Sequence, residues 1–93
     1  MKFRKKPVVI EAIQIGKDMT LQTPDWFKEA LLAGTVKLHG MSTYTRDEPY
    51  VEIETLEGVM RGNRHDWIIR GVQGELYPCR SDIFEQTYEQ VEE

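Results

Sequence analysis

Apolar and polar positions alternate in short runs along most of the chain, which is typical of strands. The first run, "PVVIEAIQI", is rich in β-branched residues, and it predicts a strand over residues 8–15. Both faces of that strand are largely apolar, because Glu11 is the only charge among them. Apolar residues on both faces favour a central position in a sheet.

A helical period replaces the alternation in "TPDWFKEALLAG", residues 23–34. Thr23 is placed to cap the helix, and Pro24 suits the first helical position because its missing N–H costs nothing there. Gly34 is a natural terminator. The spacing therefore predicts a helix over about residues 23–33, with an apolar face made of Phe27, Ala30 and Leu31.

The middle of the chain predicts an antiparallel meander. A short strand over residues 35–38 is followed by a loop that has room for an edge strand around Tyr44. "YVEIETLEG" then alternates cleanly, with apolar residues on one side and Glu52 and Glu54 on the other. The remaining predictions are a Glu57-Gly58 turn into residues 59–61, a strand over residues 67–72, a Gln73-Gly74 turn, a partner strand over residues 75–77, and an end to the pairing at Pro78.

The tail, "SDIFEQTYEQV", fits two structures. Ser81 or Asp82 could cap a short helix, in which Phe84 and Tyr88 would share one face. "QTYEQV" equally fits a last strand. The whole pattern indicates a single α+β domain over residues 1–93. It predicts a small, mostly antiparallel twisted sheet of about five to six strands, with one main helix packed on one face and a short C-terminal helical segment.

Composition narrows the class of protein. The chain is 40% hydrophobic and 30% charged, which is too apolar for a disordered chain and too charged for a membrane protein. The single cysteine fits a reducing cytoplasm. The net charge of −4 argues against a nucleic-acid partner, since phosphate contacts need a basic surface.

Catalytic and metal-binding motifs are not found in the sequence. His39, His65 and Cys79 do not have the spacing of a zinc site, and "GVQGE" lacks the helix that follows a phosphate loop. The carboxylates of Glu52, Glu54 and Glu57 are interpreted as a solvated strand face. We therefore predict no enzyme activity, no metal and no cofactor.

A set of cationic and aromatic residues is the candidate binding surface. Arginine together with tyrosine or tryptophan is common at recognition hot spots and at phosphate or base sites. Weak pairing of arginines with neighbouring glutamates, and a place in the core for Trp67, are the alternatives. The candidate residues are Arg61, Arg64, Trp67, Arg70, Tyr77 and Arg80.

Two stretches, "FRKKPVVIEAIQI" and "DWIIRGVQGELYPCRSDIFEQTYEQV", resemble a family of small phage and prophage proteins. That family combines an "RKKPVVIEA" opening with a "GDxIIxGxxGExYPCxPDIFExTYE" close. This chain departs from the pattern at His65, where the family has glycine, and at Ser81, where it has proline. The glycine departure predicts that the turn before Asp66 is made differently.

The resemblance implies a class of function and no activity. Small accessory phage proteins commonly bind and modulate a bacterial host component, including a defence system. The expectation is a non-enzymatic protein of this kind, bound to a host protein in the bacterial cytoplasm. The alternative is an oligomer that sequesters a phosphorylated or nucleotide ligand, with arginines as the phosphate clamp and Trp67 or Tyr77 stacked on a base.

Overall fold

In a computed structural model, which describes residues 1–4, 6–17, 19 and 23–91, the chain forms an α+β fold. Six strands lie in two antiparallel sheets: sheet I has the order β1-β5-β6, and sheet II has the order β2-β3-β4. The α+β prediction is confirmed, but the prediction of one sheet is wrong, because the strands divide into two. The elements are β1 (Glu11–Gln14), α1 (Asp25–Ala33), β2 (Val36–His39), β3 (Tyr50–Thr55), β4 (Gly58–Asn63), β5 (Trp67–Arg70), β6 (Leu76–Cys79) and α2 (Ser81–Thr87).

Strand β1 is an edge strand rather than the predicted central one. It is four residues long and pairs only with β5, from Glu11 opposite Arg70 to Gln14 opposite Trp67. Val8 and Val9 lie outside the strand and are 47% and 77% exposed. The central strand of sheet I is β5, where Ile68 and Ile69 are both buried although they point to opposite faces.

The main core lies between the two sheets and α1. Ile68 packs there from sheet I, Val51 and Ile53 from sheet II, and Phe27 from α1. Gly62 of β4 faces sheet I so closely that a Cβ atom would lie 2.6 Å from Cδ1 of Ile15. The sheets approach each other closely at this point because glycine has no side chain.

A second, smaller packing layer covers the other face of sheet I. Ile69 is 1% exposed and lies opposite Tyr77 in the β5–β6 pairing, so both side chains point to that face. Trp67 shares the same face and stacks on Phe84 of α2, with ring centroids 4.3 Å apart. Helix α2 therefore packs on the side of sheet I opposite the main core.

Both helices begin differently from the prediction. Pro24 is the N-cap residue of α1 without a side-chain capping bond, and the hydroxyl of Thr23 is buried without a hydrogen-bond partner in the described part of the chain. Arg80 is the N-cap residue of α2, so neither Ser81 nor Asp82 caps it. Gly34 ends α1 with a φ of 78°, as predicted. The tail forms a helix and not a strand.

Several strands begin or end at residues other than the predicted ones. The β3–β4 turn is Leu56-Glu57, and Gly58 begins β4 with a φ of 108°. Strand β5 ends at Arg70 rather than at residue 72, and residues around Tyr44 form no strand. Pro78 does not end β6 but lies within it, opposite Ile68. An edge strand tolerates proline because its outer N–H groups need no partner in the sheet.

The turn before β5 keeps a left-handed residue at the position where the resembled pattern has glycine. His65 has a φ of 75°, and it is the only described residue other than glycine with a positive φ. Its backbone N–H donates to the carbonyl of Ile15 at 2.9 Å, and its carbonyl accepts from Nε2 of Gln14 at 3.0 Å. These bonds hold the left-handed conformation although the Cβ atom of histidine opposes it.

Replacing His65 with glycine is therefore expected to stabilise the fold by about 0.5–1 kcal/mol. Both hydrogen bonds use backbone atoms of His65 and survive the change, while the left-handed strain is relieved. Urea unfolding measures the difference. His65→Ala retains a Cβ atom and is the control, and a gain in this variant equal to that of His65→Gly would contradict the strain explanation.

Candidate binding site

The arginines of the predicted surface are engaged by separate neighbours. The guanidinium of Arg61 lies 3.8 Å above the ring centre of Tyr50, and its Nε donates to Asn63 at 2.9 Å. The other three each meet one carboxylate, and the pairs are Arg64–Glu48 at 3.4 Å, Arg70–Glu11 at 3.4 Å and Arg80–Asp82 at 2.8 Å. Such exposed pairs contribute little stability, but each reduces the positive charge that a phosphate would meet.

Arg70 and Arg80 lie at opposite ends of sheet I. Arg70 pairs with Leu76 at the start of β6, whereas Arg80 follows Cys79, which pairs with Trp67 at the other end. Four strand residues separate these ends by about 13 Å of backbone. A phosphate clamp that uses both arginines therefore does not form in this structure.

The two predicted aromatic residues are brought together, but mainly as packing for α2. Trp67 stacks on Phe84, and Phe84 in turn contacts Tyr88, with ring centroids 5.1 Å apart. Tyr77 shares the same sheet face and forms a hydrogen bond with the Tyr88 side chain. This aromatic cluster borders a groove of about 420 Å³ beside residues 8–12.

Burial raises the pKa of Tyr77 from 10.0 to about 12, and its hydrogen bond with Tyr88 acts in the same direction. The folded chain therefore holds this proton more tightly than the unfolded chain. Between about pH 10 and 12 the unfolded state loses the proton first, so stability is expected to fall as the pH rises through this range.

Tyr77→Phe is expected to make the urea midpoint less dependent on pH across this range, because phenylalanine has no proton to lose. Tyr44→Phe is the matched control, since Tyr44 is 99% exposed. An equal alkaline loss of stability in the wild-type chain and in Tyr77→Phe would contradict the assignment.

Residues considered for catalysis or metal binding occupy structural positions. Burial raises the pKa of the Cys79 thiol, and Asp66 and Asp82 raise it further, which disfavours the reactive thiolate. His39 stacks on Tyr50 at 4.5 Å, and its Nε2 lies 2.6 Å from Oε1 of Glu52. Among the described residues, no three His, Cys, Asp or Glu side chains are grouped to hold a metal ion.

A cleft of about 860 Å³ opens between α1, the β3–β4 hairpin and the β5–β6 turn. We call it the acidic cleft. Its apolar lining includes Trp26 and Ala30 of α1, Leu56 and Met60 of the hairpin, and Leu76 of β6. Four glutamates are among the lining residues: Glu29, Glu54, Glu57 and Glu75. The Glu54 side chain points away from the buried Val51 and Ile53, so its carboxylate lies on the outer face of sheet II beside the cleft.

The charges of the acidic cleft are poorly balanced. Among the described residues that line it, Arg70 alone is basic. Arg70 is paired with Glu11, which also accepts a hydrogen bond from Nε1 of Trp26 at 2.9 Å. The Glu75 carboxylate accepts the backbone N–H of Gln73 at 3.0 Å. The carboxylates of Glu29, Glu54 and Glu57 have no hydrogen bond or ion pair with other described residues. The cleft therefore combines an apolar lining with excess negative charge.

The sequence gives the parts of the acidic cleft but not their combination. Glu54 lies on the polar face of a predicted strand and Glu57 lies in a predicted turn, and both positions are ordinarily exposed to solvent. The apolar residues come from three segments that only the fold brings together. The local sequence signal is Leu56, an apolar residue directly before the predicted Glu57-Gly58 turn, and in the fold it is 108% exposed.

Comparison of the chain with protein-family models, with curated proteins and with solved structures gave no match. Within the described ranges, no helix is both long and apolar enough to cross a membrane. Function is therefore inferred from the geometry of the site.

Proposed function

We propose that this chain is a non-enzymatic accessory protein of a phage or prophage, which binds and modulates a protein of the bacterial host cytoplasm. A component of a host defence system is the kind of target that this class implies. The acidic cleft is the binding site, and the contacting surface of the partner is apolar and basic. The observation that carries the proposal is the apolar lining of the cleft together with three unpaired carboxylates: those of Glu29 and Glu57 at the cleft, and that of Glu54 on the adjoining outer face of sheet II.

The cleft has the composition of a protein interface. Such interfaces bury an apolar centre inside a polar rim, and exposed apolar side chains that lie together often mark them. Leu56 is fully exposed, and Met60 is 39% exposed, so a partner could remove both from water. The unpaired carboxylates would attract a basic partner and orient it during encounter.

The test is an affinity capture that uses two variants with equal changes in net charge. Glu54→Lys/Glu57→Lys reverses charge on the β3–β4 hairpin, which borders the acidic cleft, whereas Glu85→Lys/Glu89→Lys reverses it at two exposed positions in the C-terminal segment. We expect the cleft variant to lose a host protein that the wild-type chain and the control variant both retain, by about tenfold or more in affinity. Equal retention by both variants would contradict the cleft as the site.

The separate pairing of the arginines weighs against the alternative, sequestration of a phosphorylated ligand. A thermal shift with a panel of nucleotides distinguishes the two, because a ligand present at 100 times its dissociation constant adds about 2.7 kcal/mol. A nucleotide shift that Arg70→Ala or Arg80→Ala abolishes would favour sequestration over protein binding.

A further inference from the structure

Strand β4 is the longest of the four edge strands in the two described sheets. It has six residues, whereas β1, β2 and β6 have four each. Residues 58–61 of β4 are all exposed, with Val59 at 62%. Apart from its pairing with β3, no backbone hydrogen bond reaches residues 58–62 from the described part of the chain. Within the exposed residues 58–61, the backbone N–H and C=O groups that point away from β3 therefore have no backbone partner in the described part of the chain.

The other edges carry features that oppose pairing with another chain. Pro78 lies within β6, and an exposed lysine, Lys37, lies within β2. Proline, lysine and short length are the usual protections of a sheet edge. Strand β4 has neither residue type, and its one charged side chain, Arg61, is held over Tyr50. Strand β4 is thus the edge strand with the fewest features that oppose pairing with another chain.

We propose that the partner segment adds to β4 as an extended antiparallel or parallel strand with alternating apolar and basic residues. This inference rests on the proposed function and specifies its partner. Met60 points to the acidic cleft, because it pairs with the buried Ile53, and Val59 points to the other face, opposite Glu54. Apolar residues of the added strand lie beside Met60, and basic residues lie beside Val59.

The position of the Glu54 carboxylate explains why the basic residues of the added strand lie on the same outer face as Val59. Two strand spacings, about 10 Å, separate the added strand from β3, and a lysine side chain spans most of this distance. A lysine beside Val59 would thus reach toward the unpaired carboxylate of Glu54. A helix could fill an apolar cleft, but its backbone groups are already bonded and would leave those of β4 without partners.

The experiment uses three synthetic ten-residue peptides with blocked ends. The first alternates valine and lysine, the second has the same residues except for two central prolines, and the third replaces lysine with glutamate. Fluorescence anisotropy gives their affinities for the wild-type chain and for two variants. Val59→Lys adds a charge to the β4 edge, and Leu32→Lys adds the same charge at an exposed position on α1 that does not line the cleft.

We expect the alternating peptide to bind and the proline-interrupted peptide to bind at least about tenfold more weakly, because proline cannot donate to the ladder. The glutamate peptide should not bind. Val59→Lys should weaken binding, whereas Leu32→Lys should not. Hydrogen exchange of the β4 amides should slow only with the alternating peptide.

Two results would overturn strand addition. One is no binding of the alternating peptide up to about 1 mM. The other is equal binding of the alternating and proline-interrupted peptides; if Glu54→Lys/Glu57→Lys still weakens both, the acidic cleft remains the site but pairing with β4 is wrong. If that charge reversal leaves peptide affinity and host-protein capture unchanged, the proposed function itself fails.

Discussion

Ile69→Ala is expected to destabilise the fold by about 2–5 kcal/mol, in the same range as Ile68→Ala. The two side chains point to opposite faces of β5, and a sheet with one wet face would bury only one of them. Here Ile68 is 0% exposed in the core between the sheets, and Ile69 is 1% exposed on the face that α2 covers. Each truncation removes a buried apolar side chain, and both the lost burial and the cavity that remains reduce stability.

Urea unfolding of both variants tests the two-sided packing. A chain of 93 residues has a small stability margin, so either variant could approach half unfolding at 25 °C without denaturant. Val72→Ala is the matched control, because Val72 is 70% exposed and its truncation should change stability by less than about 0.5 kcal/mol. A small effect of Ile69→Ala beside a large effect of Ile68→Ala would show that α2 does not protect its face of sheet I.

Gly62→Ala is expected to destabilise the fold by about 1–3 kcal/mol, through overpacking. The added Cβ atom would lie 2.6 Å from Cδ1 of Ile15, 3.2 Å from Cγ2 of Val51 and 3.3 Å from Cβ of Pro78. Val51 belongs to sheet II, Pro78 belongs to sheet I and Ile15 follows β1, so the methyl group would push the two sheets apart. The Ile15 side chain can rotate away, which makes the lower part of the range the expected result.

Gly16→Ala is the control for Gly62→Ala. Among the described residues, no atom lies within 4 Å of the Cβ position at Gly16, apart from its chain neighbours, and the backbone there is not left-handed. This change should be neutral or slightly stabilising, because alanine restricts the unfolded chain. Equal effects at the two glycines, measured by urea unfolding, would contradict the close approach of the sheets at Gly62.

Local patterns in the sequence predict the elements that depend on local forces. The helix ending at Gly34 and the alternation of β3, with Val51 and Ile53 buried, are confirmed. The division into two sheets is not predictable in this way, because strand pairing depends on residues far apart in sequence. The apolar residues of segment 8–15 predicted a central strand, yet β5, which pairs with it, occupies the centre.

The candidate site shows the same limit. The sequence predicts that Glu54 and Glu57 are exposed to solvent. It does not predict that they lack ion pairs, because that depends on where the fold places the arginines. The sequence places Arg61, Arg64, Arg70 and Arg80 close to one another along the chain, which favoured a single positive surface. Whether that surface contributes to binding stays a prediction; in the fold, three of these arginines meet three different carboxylates.

The pairing of β1 with β5 has a consequence for the order of folding during synthesis. Sheet II is built from consecutive segments, so its strands can pair as soon as residues 36–63 have left the ribosome. Strand β1 emerges first, but it has no partner until Trp67–Arg70 follow, and Glu11 pairs across 59 positions with Arg70. Closing so long a loop is slow. Strand β1 therefore stays unpaired while sheet II folds. Of the six described strands it is the one that a chaperone could bind for the longest time during synthesis.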